Sequence, residues 1–302
     1  MEEYLMKSRI KGVIPPLTTP FTEEEEVYEE GLRNLLDFQI EGGIHGVFLC
    51  GTYGSGPLMS LEQRKKVVEI AMDQIKGRIA VIAHVGTTNT RDTIELARHA
   101  EENGVDAVAS VPPYYYRHDE QTVLEYFRNL VNAVDIPVYV YNNPKTSGFT
   151  VTPSTLAKLA DLGVKGIKDS GFNLIEFSHF ILELADRGEF NFIIGTEALF
   201  LPAMLLGASG CISGLANVFP ELVVELYDAI VEKKYEKAAE LQLKVNKARQ
   251  ILHIPGSTNA ACYAMLKERG VDVGMPKRPV LPVPEESVKL MKEEFAKIGL
   301  NV

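Results

Sequence analysis

Residues 138–169 read VYVYNNPKTSGFTVTPSTLAKLADLGVKGIKD and contain one strand–helix–strand unit. Val138-Tyr139-Val140-Tyr141-Asn142 is a short run of β-branched and aromatic residues, which predicts a strand. Thr152-Pro153 sets an N-cap before a proline at the first helical position, and Gly163 stands where that helix should stop, because glycine takes the left-handed C′ conformation cheaply. A second strand is expected over 164–168. Its run from Val164 to Ile167 suits a parallel strand covered by helices on its outer face.

The same rhythm extends in both directions. Further strands are expected over 13–18, 45–50, 80–84, 107–111, 192–195 and 210–213, each followed by a helical pattern of period 3.6. Ser60-Leu61-Glu62-Gln63 is a capping box, Phe219-Pro220-Glu221 opens a helix, and Gly42, Gly77, Gly104, Gly207 and Gly270 mark helix ends. Eight β/α units close into a TIM barrel more naturally than they form an open sheet. After Ser213 only helices are expected, over 220–231, 235–252, 259–269 and 284–298. The expected organisation is therefore an α/β chain with a barrel domain over 1–231 and a helical C-terminal extension over 232–302. No Gly- or Ser-rich linker divides the two.

Of the 302 residues, 46% are hydrophobic and 24% charged, enough apolar side chain for a large core, so disordered and collagen-like readings fail. A formal net charge of -10 with no basic patch argues against nucleic acid and acidic membranes as partners. Cys50, Cys211 and Cys262 are widely spaced and never paired as C-x-x-C, so free thiols in a reducing compartment are expected, with neither a disulfide framework nor a zinc site. Met1-Glu2-Glu3-Tyr4-Leu5 lacks an apolar leader run, which fits a cytoplasmic protein.

Barrel active sites lie at the C-terminal ends of the strands, so polar residues ending an apolar strand are the candidates. Alternation puts Val164, Gly166 and Lys168 on one face. In the barrel mouth a desolvated Lys168 would lose its proton more readily and attack a ketone to form a Schiff base. The alternative is a lysine that snorkels to solvent. Tyr139 and Tyr141 share a face, as core filler or, at the strand's end, as a proton relay. Gly51-Thr52-Tyr53-Gly54-Ser55-Gly56-Pro57 follows a strand and can turn backbone N–H groups toward an anion. It matches neither a Walker loop nor a dinucleotide fingerprint, so a carboxylate is the better ligand; a tight turn without ligand is the alternative. Tyr114-Tyr115-Tyr116 suggests a subunit interface, a substrate wall or ordinary loop packing.

These residues resemble the dihydrodipicolinate synthase and N-acetylneuraminate lyase superfamily of Schiff-base aldolases. The resemblance rests on Thr18-Thr19-Pro20-Phe21, the Gly51-Thr52-Tyr53-Gly54 loop, Tyr141-Asn142-Asn143-Pro144, Gly166-Ile167-Lys168-Asp169 and Gly210-Cys211-Ile212-Ser213, and it runs over nearly the whole chain. It implies a class I lyase needing no metal or organic cofactor, with Lys168 as the Schiff-base lysine and Tyr141 as the relay. Gly51, Thr52 and Tyr53 would hold the carboxylate of pyruvate or another 2-oxo acid, beside Ile212. Tyr115 would cross a dimer interface to the neighbouring site, in a homotetramer built as a dimer of dimers.

The branches differ at known places. Synthases carry an arginine where this chain has Thr146, and a second threonine where it has Tyr53; sialic acid lyases carry an acidic pair where it keeps only Glu197. The Gly-Pro loop and Pro113-Tyr114-Tyr115-Tyr116 are similar to archaeal-type 2-keto-3-deoxygluconate aldolases. That resemblance implies cleavage of a sugar acid to pyruvate and an aldehyde. Arg117, Lys277 and Arg278 would serve a phosphorylated substrate, although Lys277 and Arg278 also read as a solvated turn. The alternatives are a synthase, a related dehydratase or deaminase, and an imine-forming homologue without turnover.

Overall fold

The computed structural model describes residues 10–187 and 189–302. The reading of Met1 to Leu5 lies outside them. Eight strands, β1 (Gly12–Ile14), β2 (Gly46–Leu49), β3 (Ala80–His84), β4 (Ala107–Ser110), β5 (Val138–Asn142), β6 (Gly166–Asp169), β7 (Asn191–Ile194) and β8 (Gly210–Ile212), form one sheet in the order β1-β8-β7-β6-β5-β4-β3-β2. Every paired ladder is parallel, and β1 pairs with β8. Between β1 and β2 the ring closes through single bonds: His45 N–H to Val13 O at 3.0 Å, Phe48 N–H to Pro15 O at 2.9 Å and Leu17 N–H to Phe48 O at 3.0 Å. The result is the expected TIM barrel.

Helices α1 (Glu29–Glu41), α2 (Leu61–Ile75), α3 (Thr90–Glu102), α4 (Glu120–Val131), the single turn α5 (Pro144–Ser147), α6 (Pro153–Asp161), α7 (Leu174–Glu183), α8 (Phe200–Leu206) and α9 (Pro220–Val231) follow the strands. The C-terminal part adds α10 (Tyr235–Leu252), α11 (Thr258–Glu268) and α12 (Glu285–Lys297). No described helix is long and apolar enough to cross a membrane. The capping box forms as read, with the Ser60 hydroxyl accepting from Gln63 N–H, and Thr152 caps α6 by accepting from Thr155 N–H.

Three local expectations change. The strand expected over 13–18 stops at Ile14, because Pro15 and Pro16 have no N–H to give a ladder; only Pro16 makes an isolated bridge, to Phe48. Regular pairing in β6 begins at Gly166, so Val164 lies before the strand and packs with the outer core while Gly166 and Lys168 keep the inward face. Gly42 is right-handed at φ −70, and Gly43 at φ +80 makes the left-handed exit from α1.

Two apolar layers result. Val13, Val47, Val81, Val108, Val140, Ile167, Ile194 and Cys211 face the helices, whereas Ile14, Phe48, Ile82, Ala109, Tyr139, Tyr141, Ile193 and Ile212 fill the barrel. Alternation along each strand produces this division.

Candidate active site

Lys168 is the penultimate residue of β6, with its side chain inside the barrel mouth, 3% exposed. Gly166 leaves the room below it: a Cβ there would lie 2.2 Å from the Tyr139 ring. The Lys168 Nζ sits 3.8 Å from the Phe48 ring centroid and 3.7 Å from that of Tyr141. Burial pushes the Lys168 pKa below its ordinary value, an effect that the neighbouring Tyr141 only partly offsets. The snorkelling alternative is thereby excluded.

Tyr141 is the penultimate residue of β5, on the same face as Tyr139, and register places it directly opposite Lys168. Asn143 Nδ2 donates to its hydroxyl at 3.1 Å. Burial alone would raise this phenol, but a charged Lys168 together with Ser170 and Thr52 outweighs it, and the pKa falls. The two groups are thus coupled, each shifting the proton affinity of the other on top of the effect of burial.

These residues open into a cavity of about 180 Å³, lined also by Thr52, Tyr53, Phe172, Thr196, Glu197, Ile212, Gly214, Arg249, His253 and Thr258. Gly51, the residue before Thr52, is buried and lines no part of this cavity; a Cβ there would meet the Phe48 ring at 2.6 Å. The Tyr53 ring packs over Gly214, and burial, first of all, keeps its phenol protonated. Glu197 is buried: Gly214 N–H donates to its Oε2 at 3.1 Å and Arg249 Nε lies 3.2 Å from its Oε1.

Five other candidates line no part of this cavity in the single chain. Thr146 lines an adjoining, mostly apolar cavity of about 460 Å³ with Leu58, His84, Val111, Tyr114 and Val280; Thr52 and Tyr141 belong to both cavities. Tyr115 lines neither, standing 85% exposed at φ +81 beside Tyr116. Arg117 is exposed. Lys277 donates to Glu25 O at 2.8 Å, and Arg278 pairs with the Glu25 carboxylate at 3.5 Å, as a surface turn would.

Sequence reasoning missed Phe48, His84, Phe172, Arg249, His253 and Thr258. His84 is held neutral: burial above all, then Arg64 and Lys168, depress its pKa, while its ring nitrogens meet Cys50 O at 3.2 Å and accept from Val111 N–H at 3.3 Å. Arg249, His253 and Thr258 come from the C-terminal helices, whose pattern carries no mark of a barrel mouth.

The family model described as the dihydrodipicolinate synthetase family matches residues 9–298. A 4-hydroxy-tetrahydrodipicolinate synthase of Methanopyrus kandleri is 35% identical, with 98% of each chain covered. Among solved structures, the prophage protein YagE of Escherichia coli K12, in complex with pyruvate, aligns with TM-score 0.93 at 28% identity, covering 97% of this chain and 100% of that one. The dihydrodipicolinate synthase of Aquifex aeolicus aligns with TM-score 0.90 at 31% identity, over 97% and 99%. With this agreement along its whole length, the chain belongs to the dihydrodipicolinate synthetase family and is a class I lyase of the kind that forms a Schiff base with pyruvate.

Proposed function

We propose that the protein makes and breaks the bond between pyruvate and an aldehyde on Lys168, with 2-keto-3-deoxygluconate-type sugar acids as the joined species. The observation that carries this reading is the buried Lys168 Nζ between two aromatic faces in a polar-walled cavity. The neutral amine adds to C2 of pyruvate, and the resulting hydroxyl takes the Tyr141 proton and leaves as water, giving an iminium and a Tyr141 phenolate. Tyr141, opposite in the register, takes a proton from C3 and so forms the enamine. C3 then attacks the aldehyde carbon, the aldehyde oxygen gains the proton, and water hydrolyses the imine. Among the described residues the N–H groups of Thr52 and Tyr53 have no partner within the chain, and they suit the pyruvate carboxylate.

Glu197, Thr196, Thr258 and Tyr53 form the wall that would meet the aldehyde's hydroxyls. Thr146, lying outside this cavity, would offer no guanidinium to a second substrate. A second reading, condensation with aspartate semialdehyde, is favoured by the name of the Methanopyrus kandleri relative. We further place the protein in the cytoplasm as a homotetramer of two dimers, each bringing Tyr115 to the partner's site.

Incubation with pyruvate and borohydride, followed by peptide mass mapping, should label Lys168; an unlabelled Lys168 refutes both readings. Rates with pyruvate and glyceraldehyde above those with pyruvate and aspartate semialdehyde are expected. The reverse order selects the synthase.

A further inference from the structure

A backbone N–H binds a carboxylate well only where the tilt of its peptide is fixed, since a rocking peptide turns its donor away. In a planar trans peptide the N–H points opposite to the C=O of the preceding residue, so whatever holds that oxygen aims the donor. The Thr52 N–H is aimed from within the loop, because Gly51 O accepts from Gly56 N–H at 3.0 Å. The Tyr53 N–H is aimed from two sides. Thr52 O accepts from Ser55 N–H at 3.2 Å and from Nδ2 of Asn259 at 3.4 Å. The same Nδ2 lies 2.6 Å from Tyr53 O, so one amide holds the carbonyls on both sides of the Tyr53 side chain.

Asn259 is no part of the barrel. It sits in the first turn of α11, 206 positions after Tyr53, and the imine chemistry above gives it no task. Its platform is firm: the Ser257 hydroxyl caps the helix by accepting from Ala260 N–H at 3.3 Å, and Tyr263 Oη donates to Thr19 O at 2.6 Å. The Tyr53 ring is seated on Gly214, where a Cβ would lie 2.4 Å from its Oη. Ring and backbone of Tyr53 are thus fixed at separate points. The Asn259 amide can be oriented in one way only, because two carbonyl oxygens require its NH2 side. Its Oδ1 is then left buried with no partner among the described residues. An asparagine kept for stability alone would satisfy both ends, whereas this one leaves an acceptor unpaired, at a cost, to make the two donor bonds.

We propose that Asn259 is a positioning residue of the carboxylate site, which from the C-terminal helices aims the Tyr53 N–H at the 2-oxo acid without touching it. Resting on the lyase reading of Lys168, this gives the helical extension a part in substrate binding. The carboxylate keeps its charge from free pyruvate through iminium and enamine, so a donor to it stabilises each species alike. Losing its aim therefore weakens pyruvate binding and leaves the limiting rate unchanged. Ser55 N–H still holds Thr52 O, so the loss should be about tenfold, at the lower end for a charge-assisted hydrogen bond.

Cyanoborohydride traps the pyruvate iminium, and mass mapping follows the label on Lys168 as pyruvate is titrated. In Asn259→Ala the pyruvate concentration for half-maximal labelling should rise about tenfold, with the limiting rate within about twofold of the parent's. Asn259→Leu, similar in size and uncharged but without the donor, should show the same rise and carries the test should Asn259→Ala fold poorly. Asn259→Gln keeps the amide and should recover part of the affinity. Acetone, a ketone without the carboxylate, should label parent and variants at equal rates per molar. Half-saturation unchanged in the Ala and Leu variants overturns the assignment of Asn259 while leaving the lyase reading intact. So does a parallel loss with acetone, or a fall in the limiting rate alone, since either reports a general disturbance of the mouth. Failure to label Lys168 in the parent overturns the lyase reading, and this proposal with it.

Discussion

Holding an ammonium group between two aromatic rings inside a barrel trades water for weaker partners. The faces of Phe48 and Tyr141 return part of the lost hydration, but burial still lowers the Lys168 pKa. The sign for stability follows from linkage. The unfolded chain binds this proton up to its ordinary value of 10.5 and the folded chain releases it earlier, so stability rises with pH across that interval and the full cost is present below it. Lys168→Met should therefore raise stability at pH 7 by about 1–2 kcal/mol, and the gain should shrink as pH climbs toward 10.5. Urea unfolding at pH 7 and at pH 10 reads both. A variant less stable than the parent at pH 7 would show that the aromatic contacts more than repay the desolvation. Lys168 was legible because strand alternation and a preceding glycine fix its direction. Phe48 was not, since it lies 120 positions away and only ring closure brings it beneath the amine.

At the scale of the element, the loop after β2 shows what a motif does and does not convey. Its glycines read as an anion cradle, but each also answers to a packing demand: a Cβ on Gly54 would lie 2.8 Å from Leu17 O, and one on Gly56 only 1.8 Å from Cys50 O. Cys50 and Ser55 hold positive φ of 56 and 57 in the same turn, so the chain doubles back with little freedom to yield. Gly56→Ala is expected to cost about 2–3 kcal/mol and to raise the KM for pyruvate, because Thr52 and Tyr53 move with the loop. Thermal unfolding and initial rates are the measurements, and an unchanged KM would remove this loop from carboxylate binding. Helix boundaries were legible at Ser60 and Thr152, where a side chain carries the cap, and shifted at Gly42, where the left-handed turn falls one residue later, at Gly43. Periodicity places an element; the residue that absorbs a turn depends on the neighbours it meets.

Across the whole molecule, the C-terminal helices are more than a cover for the barrel. Val245, Ala248, Leu252, Cys262, Leu266 and Phe295 join the same core cluster as the strands, and Arg249 enters the site. A helical pattern reports which face is buried but not what that face meets, so this contribution was invisible along the chain. On another face Tyr115 and Tyr116 stand 85% and 69% exposed, directly after Tyr114, which lines an apolar cavity that reaches Thr52 and Tyr141. Two adjacent exposed tyrosines, one held at φ +81, are costly to keep in water and well suited to an interface. A second copy of the chain is the expected occupant, with its Tyr115 completing the relay beside Tyr141. Tyr115→Ala/Tyr116→Ala should shift sedimentation velocity profiles toward monomer at micromolar concentration and lower kcat more than tenfold, while pyruvate with borohydride still labels Lys168. A parent protein that sediments as a monomer, with activity per chain unchanged on dilution to nanomolar concentration, would leave the tyrosines without a role in the neighbouring site. Loss of kcat in a variant that remains dimeric would instead assign Tyr115 to the chemistry apart from assembly, because the interface would then persist without it.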